Sequence, residues 1–392
     1  MQPSLALSIN WVLFCTALAF LMQAGFCCME SGLSRSKNSI DVAIKNVVDF
    51  CVGGALYWAF GFALMFGATK WGLFGTTHFA FEETSDTHWL TVFFLSQMVF
   101  CGIAITVASG AVAERMRFNA YLVLTLVIGG LVYPLFGHWV WAGIQGGQRN
   151  GWLGQLGFVD FAGATVVHSI GAWSALAAVM LLGPRAGRFG ENGQNNELGG
   201  HNLQMAALGL FILWLGWLGF NGGRTFVMSS GVHVILINTG LAGVFGGLAA
   251  MACQRTMRGR VSVEAVMRGV LAGLVAISAS CDVVGERSAV FIGITAAGVV
   301  HFATALMERV WRRDDVVGAI PTHGFAGAWG TVAFALYAPE SALAQGLSRW
   351  EQLGVQVFGV GVAFFWAFGV TAVVLCLVGT VMRLRVSPED EE

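Results

Sequence analysis

The chain has 392 residues, of which 56% are hydrophobic and 11% carry a formal charge, and its net charge at pH 7 is -1. A soluble core of this size could not hide so many apolar side chains, so the composition excludes an ordinary soluble protein and predicts one embedded in lipid. The balanced charge and the lack of a basic run argue against a nucleic-acid partner.

Apolar stretches of about 20 residues, separated by charged or turn-rich breaks, predict eleven membrane-spanning helices. The predicted spans are 8–33, 41–69, 88–113, 118–144, 160–183, 200–222, 228–254, 261–280, 286–308, 316–338 and 353–383. The first stretch has no Lys or Arg before it and no small-residue cleavage pattern after it, which favours a span over a cleaved signal peptide. The expected fold is therefore an all-α polytopic membrane domain over residues 1–385, followed by a short cytoplasmic tail over 386–392.

The connections between these spans differ in charge. Most of the 21 Lys and Arg residues lie in alternate connections, on the side that contains Arg115, Arg185 and Arg313. By the positive-inside rule that side is cytoplasmic. An odd number of spans then places the N-terminus outside and the C-terminus in the cytoplasm.

The eight cysteines lie almost entirely within apolar stretches, without a CxxC pair or a ligand-like spacing to histidine. They are typical of small core residues. We therefore expect no disulfide framework, no metal and no cofactor.

Two spans begin with a related motif, DFAGATVVH at 160–168 and DVVGAIPTH at 315–323. Asp, Gly, Ala and His recur at the same offsets. Because five spans separate the copies, the second enters the membrane from the opposite face, which predicts an inverted repeat of five and five spans plus a final helix. A chance match in a Gly- and Ala-rich chain is the alternative, and the rarity of Asp and His in such spans argues against it.

The histidines of the two motifs, His168 and His323, are predicted to lie deep in the membrane, since eight residues of helix span about 12 Å. A single intramembrane histidine is as often an interhelical hydrogen bonder as a functional group. Two at matching depth favour a substrate or proton pathway, because polar groups at bilayer depth usually mark one.

Several further motifs lie along the chain. They are MQAGF at 22–26, ESG at 30–32, RSKN at 35–38, GAVAERMRF at 110–118, DFAGATVVH at 160–168, GWLGFN at 216–221, DDVVG at 314–318 and HG at 323–324. Together they resemble the ammonium transporters of the Amt/Rhesus family. The resemblance covers nearly the whole chain. It implies eleven spans, an outside N-terminus, an inverted repeat and a homotrimer with a central pore in each subunit, in a bacterial inner (plasma) membrane.

The same resemblance implies an outer ammonium-recruiting site above a narrow pore. The implied roles are recruitment by Trp141 and Phe100 with Asp160 beneath them, a stacked gate of Phe100 and Phe220, and a twin-histidine pair of His168 and His323. Without the motifs, Trp141 and the two phenylalanines would be read as interfacial or core packing.

The chemistry expected of such a site follows from its substrate. Ammonium and potassium share a charge and a similar size, so selectivity has to use the acidic proton of ammonium. Aromatic faces can hold the cation by cation–π attraction, while an apolar constriction passes neutral ammonia far more easily than an ion. Two imidazoles in line can relay the proton, because each ring nitrogen can donate or accept.

One residue departs from the family pattern at the recruiting site. Where the family commonly has a serine, three residues after Asn221, this chain has Arg224. Its permanent charge would repel ammonium unless the side chain turns away or pairs with a carboxylate. Two readings are open. Arg224 has a direct role in substrate binding, or it snorkels to the outer headgroups or pairs with Asp or Glu.

The two functional hypotheses are a transporter and a sensor. The first passes ammonium, with methylammonium as a related substrate. The second is the membrane part of a longer signalling protein that binds ammonium with little transport, since the sequence stops at Glu392, where the family usually continues into a segment that meets a PII-type regulator. An enzyme is not expected, because the sequence contains no Gly-rich phosphate loop, nucleophile elbow or HExxH motif.

Overall fold

The long apolar stretches form helices, because a backbone in lipid must satisfy its own hydrogen bonds. The computed structural model describes residues 5–84, 88–190, 194–196 and 198–391. The main helices are α1 Leu5–Leu33, α2 Ser36–Phe66, α3 His88–Val112, α4 Phe118–Gly146, α5 Ala164–Leu182, α6 Leu203–Thr225, α7 Val232–Arg258, α8 Val263–Ile277, α9 Glu286–Val310, α10 at 320–337 and α11 Arg349–Gly379.

Within the described ranges, nine of these helices are long and apolar enough to cross a membrane. The chain is thus an integral membrane protein of mainly helical structure, as predicted. The eighth and tenth predicted spans contain α8 and α10, which are not among the nine. A count of eleven spans therefore stays a prediction.

The connections carry the remaining regular structure. Strands β1, Thr69–Lys70, and β2, Phe74–Gly75, form a small antiparallel hairpin after α2. Short helices cover Trp152–Gln155, Glu340–Ala342 and Pro388–Glu391. The hairpin is the one departure from the predicted all-α class within the part of the chain that the structure describes.

The two halves meet where α1 packs along α6. A Cβ atom added to Gly25 of α1 would lie 2.7 Å from the Cγ atom of Leu213 and 2.9 Å from its backbone nitrogen. Only glycine fits such a close backbone approach, which is how helices gain van der Waals contact where lipid offers no hydrophobic driving force. This packing joins the first helix of each half.

The helices of the repeated motif start later than the sequence predicted. Helix α5, in the fifth predicted span, begins at Ala164, because Gly163 has a left-handed backbone with φ of 103°. Its first turn, Ala164–Ser169, is a π-helix, and so is the first turn of α10, Ile320–Phe325. The eight-residue helical offset predicted between Asp160 and His168 is therefore wrong, since the chain between residues 160 and 163 is not helical.

A buried ionic cluster ties together the connections on the predicted cytoplasmic side. Glu114, whose side chain is fully buried, accepts from Arg185 at 2.8 Å and from the Nε atom of Arg35 at 2.5 Å. Asp314 accepts from the Nε atom of Arg185 at 2.8 Å and from its Nη2 atom at 3.1 Å. Because buried charges are stable only when paired, this cluster fixes the connections after α3, α5 and α9 relative to one another.

The C-terminal segment is bound to the same face. The backbone nitrogen of Val386 donates to the carbonyl of Arg115 at 3.0 Å. The buried carboxylate of Glu391 accepts from the backbone nitrogen of Ala186 at 2.7 Å and from Arg385. The predicted boundary between residues 385 and 386 stays a prediction, and Glu392 lies outside the described residues.

We expect acid to destabilise the protein through Asp314. Burial alone would raise the pKa of Asp314, but hydrogen bonds and charge from Arg185, together with Arg115, lower it to about 2. A lowered pKa stabilises the fold fully above the ordinary value near 3.8 and ceases to do so as the pH falls through 2, a contribution of roughly 2 kcal/mol.

Thermal unfolding in detergent at pH 7 and at pH 3 measures this effect. Asp314→Asn should unfold at a lower temperature than the parent at pH 7, with a smaller further loss at pH 3. The control is Glu340→Gln, which removes an exposed carboxylate and should change little. Equal acid sensitivity of the parent and Asp314→Asn would contradict the prediction.

Candidate functional site

Asp160 caps the helix that carries His168. Its carboxylate accepts hydrogen bonds from four successive backbone N–H groups, those of Gly163 at 3.0 Å, Ala164 at 2.9 Å, Thr165 at 2.8 Å and Val166 at 2.8 Å. A helix N-terminus leaves such donors unpaired and attracts negative charge. The carboxylate is therefore committed to the backbone and does not point freely at a substrate.

Asp315 forms the matching cap in the other half. Its carboxylate accepts from the backbone N–H groups of Gly318 at 3.0 Å, Ala319 at 3.1 Å and Ile320 at 2.6 Å. Gly318 has a left-handed backbone, with φ of 77°, as Gly163 does. The two motifs thus share an aspartate cap, a glycine turn and a π-helical first turn.

The histidines of the two motifs meet in the protein interior. The Nδ1 atom of His323 lies 3.3 Å from the Nδ1 atom of His168, and the ring planes are 29° apart with centroids at 5.2 Å. Both side chains are buried. An imidazole pair joined through these nitrogens can share one proton, since one ring donates while the other accepts.

One end of the pair is open for a further hydrogen bond. The Nε2 atom of His168 is buried and has no partner among the described residues. A buried polar atom without a partner is costly and calls for an explanation, such as a role in passing a small polar molecule.

Trp217, which the sequence analysis did not single out, fixes the ring of His168. The two rings stack at 4.8 Å between centroids with planes 21° apart, and the indole Nε1 atom of Trp217 donates to Ser278 at 2.9 Å. The signal was present in the sequence, because Trp217 lies in the GWLGFN motif three residues before Phe220, on the same face of α6.

Two phenylalanines stack directly above the histidines. The rings of Phe100 and Phe220 are 4.1 Å apart and 17° from parallel. Phe220 lies 5.5 Å from the His168 ring, while Phe100 meets the edge of Trp141 at 6.3 Å. The structure therefore brings the sequence-predicted gate residues together, in a continuous file of rings from Trp141 down to the histidine pair.

Trp141 is held in place by the connection that leads into α5. Its indole Nε1 atom donates to the carbonyl of Asp160 at 2.8 Å. The same aspartate therefore caps the helix with its carboxylate and orients the tryptophan with its backbone. One face of the Trp141 ring is covered by an arginine.

That arginine is Arg224, and it points inward. Its guanidinium carbon lies 4.2 Å from the centroid of the Trp141 ring and 5.0 Å from that of Phe226. Its Nε atom donates to the carbonyl of Phe161 at 2.7 Å. The structure places the guanidinium against the Trp141 ring, and its role in substrate binding stays a prediction.

Small cavities lie at both ends of this file of rings. The one on the predicted outer side, about 10 Å³ in volume, is lined by Gln97, Phe100 and Arg224 among others. The inner one, of similar volume, is lined by His323, Glu30 and other residues. Each has room for about one water molecule, which is also the size of ammonia.

Comparison with known proteins finds relatives of this chain. A family model described as Ammonium Transporter Family matches residues 10–392. A candidate ammonium transporter of Synechocystis sp. is 49% identical over 97% of this chain and 71% of its own, and ammonium transporter Amt2 of Archaeoglobus fulgidus is 42% identical over 100% and 86%. The solved structure of a Sensor Amt Protein, 39% identical, superimposes with a TM-score of 0.95 over 99% of this chain and 96% of that one.

Proposed function

The chain belongs to the Ammonium Transporter Family, and on that premise we propose that it passes ammonium, and methylammonium as a close analogue, across a membrane. The observation that carries the proposal is the file of rings that leads from Trp141 through Phe100 and Phe220 to the histidine pair. Such a path offers π faces to a cation at its outer end and an apolar, hydrogen-bonding passage to a neutral molecule below.

Recruitment takes place at the outer aromatic faces. The faces of Trp141 and Phe100 attract a cation by about 0.5–2 kcal/mol each, depending on how fully water is excluded. Asp160 positions the start of α5 more than it attracts the cation, because its carboxylate accepts from four backbone N–H groups. The site concentrates ammonium without binding it so tightly that it cannot leave.

The stacked Phe100 and Phe220 separate this site from the interior. An intact cation loses its hydration at such an apolar constriction and gains nothing there, which costs several kcal/mol or more. Ammonium gives up its proton to the Nε2 atom of His168 and crosses as ammonia, while His168 passes its Nδ1 proton to His323, which releases its own Nε2 proton. Potassium keeps its charge. Selectivity between two ions of similar size follows from this difference.

The histidine pair then handles ammonia and the proton. The unpaired Nε2 atom of His168 faces no other described hydrogen-bonding group, so it can accept from ammonia. The Nδ1 contact with His323 passes a proton from one ring to the other. The two rings thereby provide a route for the proton through a passage that excludes the ion.

We propose the membrane arrangement that the charge distribution favours, with the N-terminus outside, the C-terminus cytoplasmic, and a location in a bacterial inner membrane. A homotrimer with one pore in each subunit is proposed from the family resemblance. A PII-type regulator is the partner proposed for the cytoplasmic face.

Currents from purified protein in liposomes test the transport proposal. We expect an ammonium gradient to drive current and an equal potassium gradient to drive at least tenfold less. In the double variant His168→Ala with His323→Ala, the proton has no relay, so the ammonium current should fall at least tenfold.

The matched control for this experiment is His88→Ala. The side chain of His88 is 65% exposed and lies outside the file of rings, so its loss should leave the current unchanged. If the double variant keeps both the current and the selectivity against potassium, the proposed relay is wrong.

A sensor is the second candidate function, and the position of Arg224 favours it. A protein whose recruiting site already holds a guanidinium could bind ammonium, change conformation and pass little of it. Ammonium binding by the parent protein without any ammonium-driven current would select this function over transport.

A further inference from the structure

Arg224 is a resident cation in the outer site. Its side chain is 7% exposed, and its guanidinium lies over the Trp141 ring at the distance expected of a cation–π contact. Phe226, which contacts the guanidinium from a second side, has a left-handed backbone with φ of 57°. Non-glycine residues rarely adopt this conformation, so the chain accepts some strain to place this second ring.

The contacts that hold the guanidinium are few. Its Nε atom has one hydrogen bond, to the carbonyl of Phe161, and its buried Nη1 atom has no partner among the described residues. No described carboxylate forms an ion pair with it, although Asp160 and Asp282 are near enough to attract its charge. A buried guanidinium with an unused donor is held less firmly than one in a bidentate pair.

The outer cavity offers the guanidinium another acceptor. Gln97 is buried, lines this cavity together with Arg224, and has an Oε1 atom without a partner in the described parts of the chain. If the arginine turned toward Gln97, its unpaired Nη1 atom could donate to this Oε1 atom. The same movement would uncover the face of Trp141.

We propose that Arg224 is an internal competitor for the outer cation site, so that ammonium binds the face of Trp141 only when the guanidinium leaves it. This inference rests on the proposed function, because it assumes that ammonium binds at Trp141. One aromatic face cannot hold two cations, since their charges repel and their positions overlap.

A tethered competitor acts at a high effective concentration, on the order of millimolar or more for a short flexible link. Its presence multiplies the apparent dissociation constant of ammonium by one plus the ratio of this effective concentration to the dissociation constant of a free guanidinium at the site. Arg224 therefore raises the external ammonium concentration that is needed to occupy the site.

The test compares ammonium binding and current in three variants. Arg224→Met removes the charge at similar length, Arg224→Ala leaves a guanidinium-sized space, and Arg224→Lys keeps a charge without the flat stacking group. Titration of purified protein with ammonium chloride in a calorimeter gives the apparent dissociation constant. We expect a decrease of at least tenfold in Arg224→Met and Arg224→Ala, equal to about 1.4 kcal/mol, and a smaller decrease in Arg224→Lys.

Added guanidinium chloride, at a few millimolar, gives the decisive readout. It should bind Arg224→Ala and return the ammonium affinity of this variant toward the parent value. The ammonium affinity of the parent should not change, because Arg224 already fills the site. Arg287→Met is the matched control, since it removes an exposed charge on the same predicted outer side and should change neither quantity.

The two proposals fail in different ways. The competitor proposal is wrong if the parent and Arg224→Met bind ammonium with equal affinity, or if Arg224→Ala does not bind guanidinium. An ammonium current would still support transport in either case. If the variants bind ammonium more tightly but none of them carries a current, the competitor proposal is supported and the transport proposal is wrong.

Discussion

Asp160→Ala is expected to unfold far below the temperature of the parent and to carry no ammonium current. The substitution leaves four backbone N–H groups without an acceptor in a part of the protein that water does not reach. Each unsatisfied buried group costs about 1–3 kcal/mol. The sum, about 4 kcal/mol or more, is a large fraction of the free energy of unfolding of a typical domain.

Two further variants separate the cap from other roles of Asp160. Asp160→Asn keeps one carbonyl oxygen, which can accept from two of the four N–H groups, so its unfolding temperature should lie between those of the parent and the alanine variant. Asp315→Ala removes the matching cap, with three N–H groups, and should be nearly as harmful. If Asp160→Ala unfolds at the same temperature as the parent, the cap does not stabilise this helix.

Replacement of Glu114 is expected to have the second large effect. Its fully buried carboxylate pairs with Arg185, whose side chain is 3% exposed, and with Arg35, at 26%. Removal of one partner from a buried ion pair costs about 3–5 kcal/mol, because the remaining charge keeps its desolvation cost. Thermal unfolding in detergent should show a marked decrease for Glu114→Ala.

The backbone at Glu114 allows a sharper comparison. Its φ is 70°, a left-handed conformation that costs a non-glycine residue about 1–2 kcal/mol. Glu114→Gly loses the same ion pairs but relieves this strain, so it should be less destabilised than Glu114→Ala. Arg35→Ala, which removes the more exposed partner, serves as the milder control, and equal stability of all three variants would contradict the argument.

The sequence predicted the helical class and the family resemblance, and both are confirmed. Hydropathy is a strong signal in a membrane protein, since each span must present about 20 apolar residues to lipid. The meeting of His168 and His323 followed from the repeat, because equivalent positions of inverted halves converge near the centre. The roles of these residues in transport stay proposals.

Other features depend on contacts that the pattern of residues does not contain. The late start of α5 arises because the Asp160 carboxylate competes with helix continuation through Gly163, a choice between local hydrogen bonds that hydropathy does not record. The inward turn of Arg224 depends on Phe226 and on the carbonyl of Phe161. Trp217 could have been found from its spacing to Phe220, but its stacking on His168 needed the structure.

The contact between the histidines has a consequence for the direction of flow. Both rings use the same nitrogen, Nδ1, so the bridging proton can belong to either ring. In the proposed pathway such a pair favours neither uptake nor efflux. Net movement would then reverse whenever the gradient reverses, and a cell could retain its nitrogen only by consuming ammonia quickly or by closing the pore elsewhere.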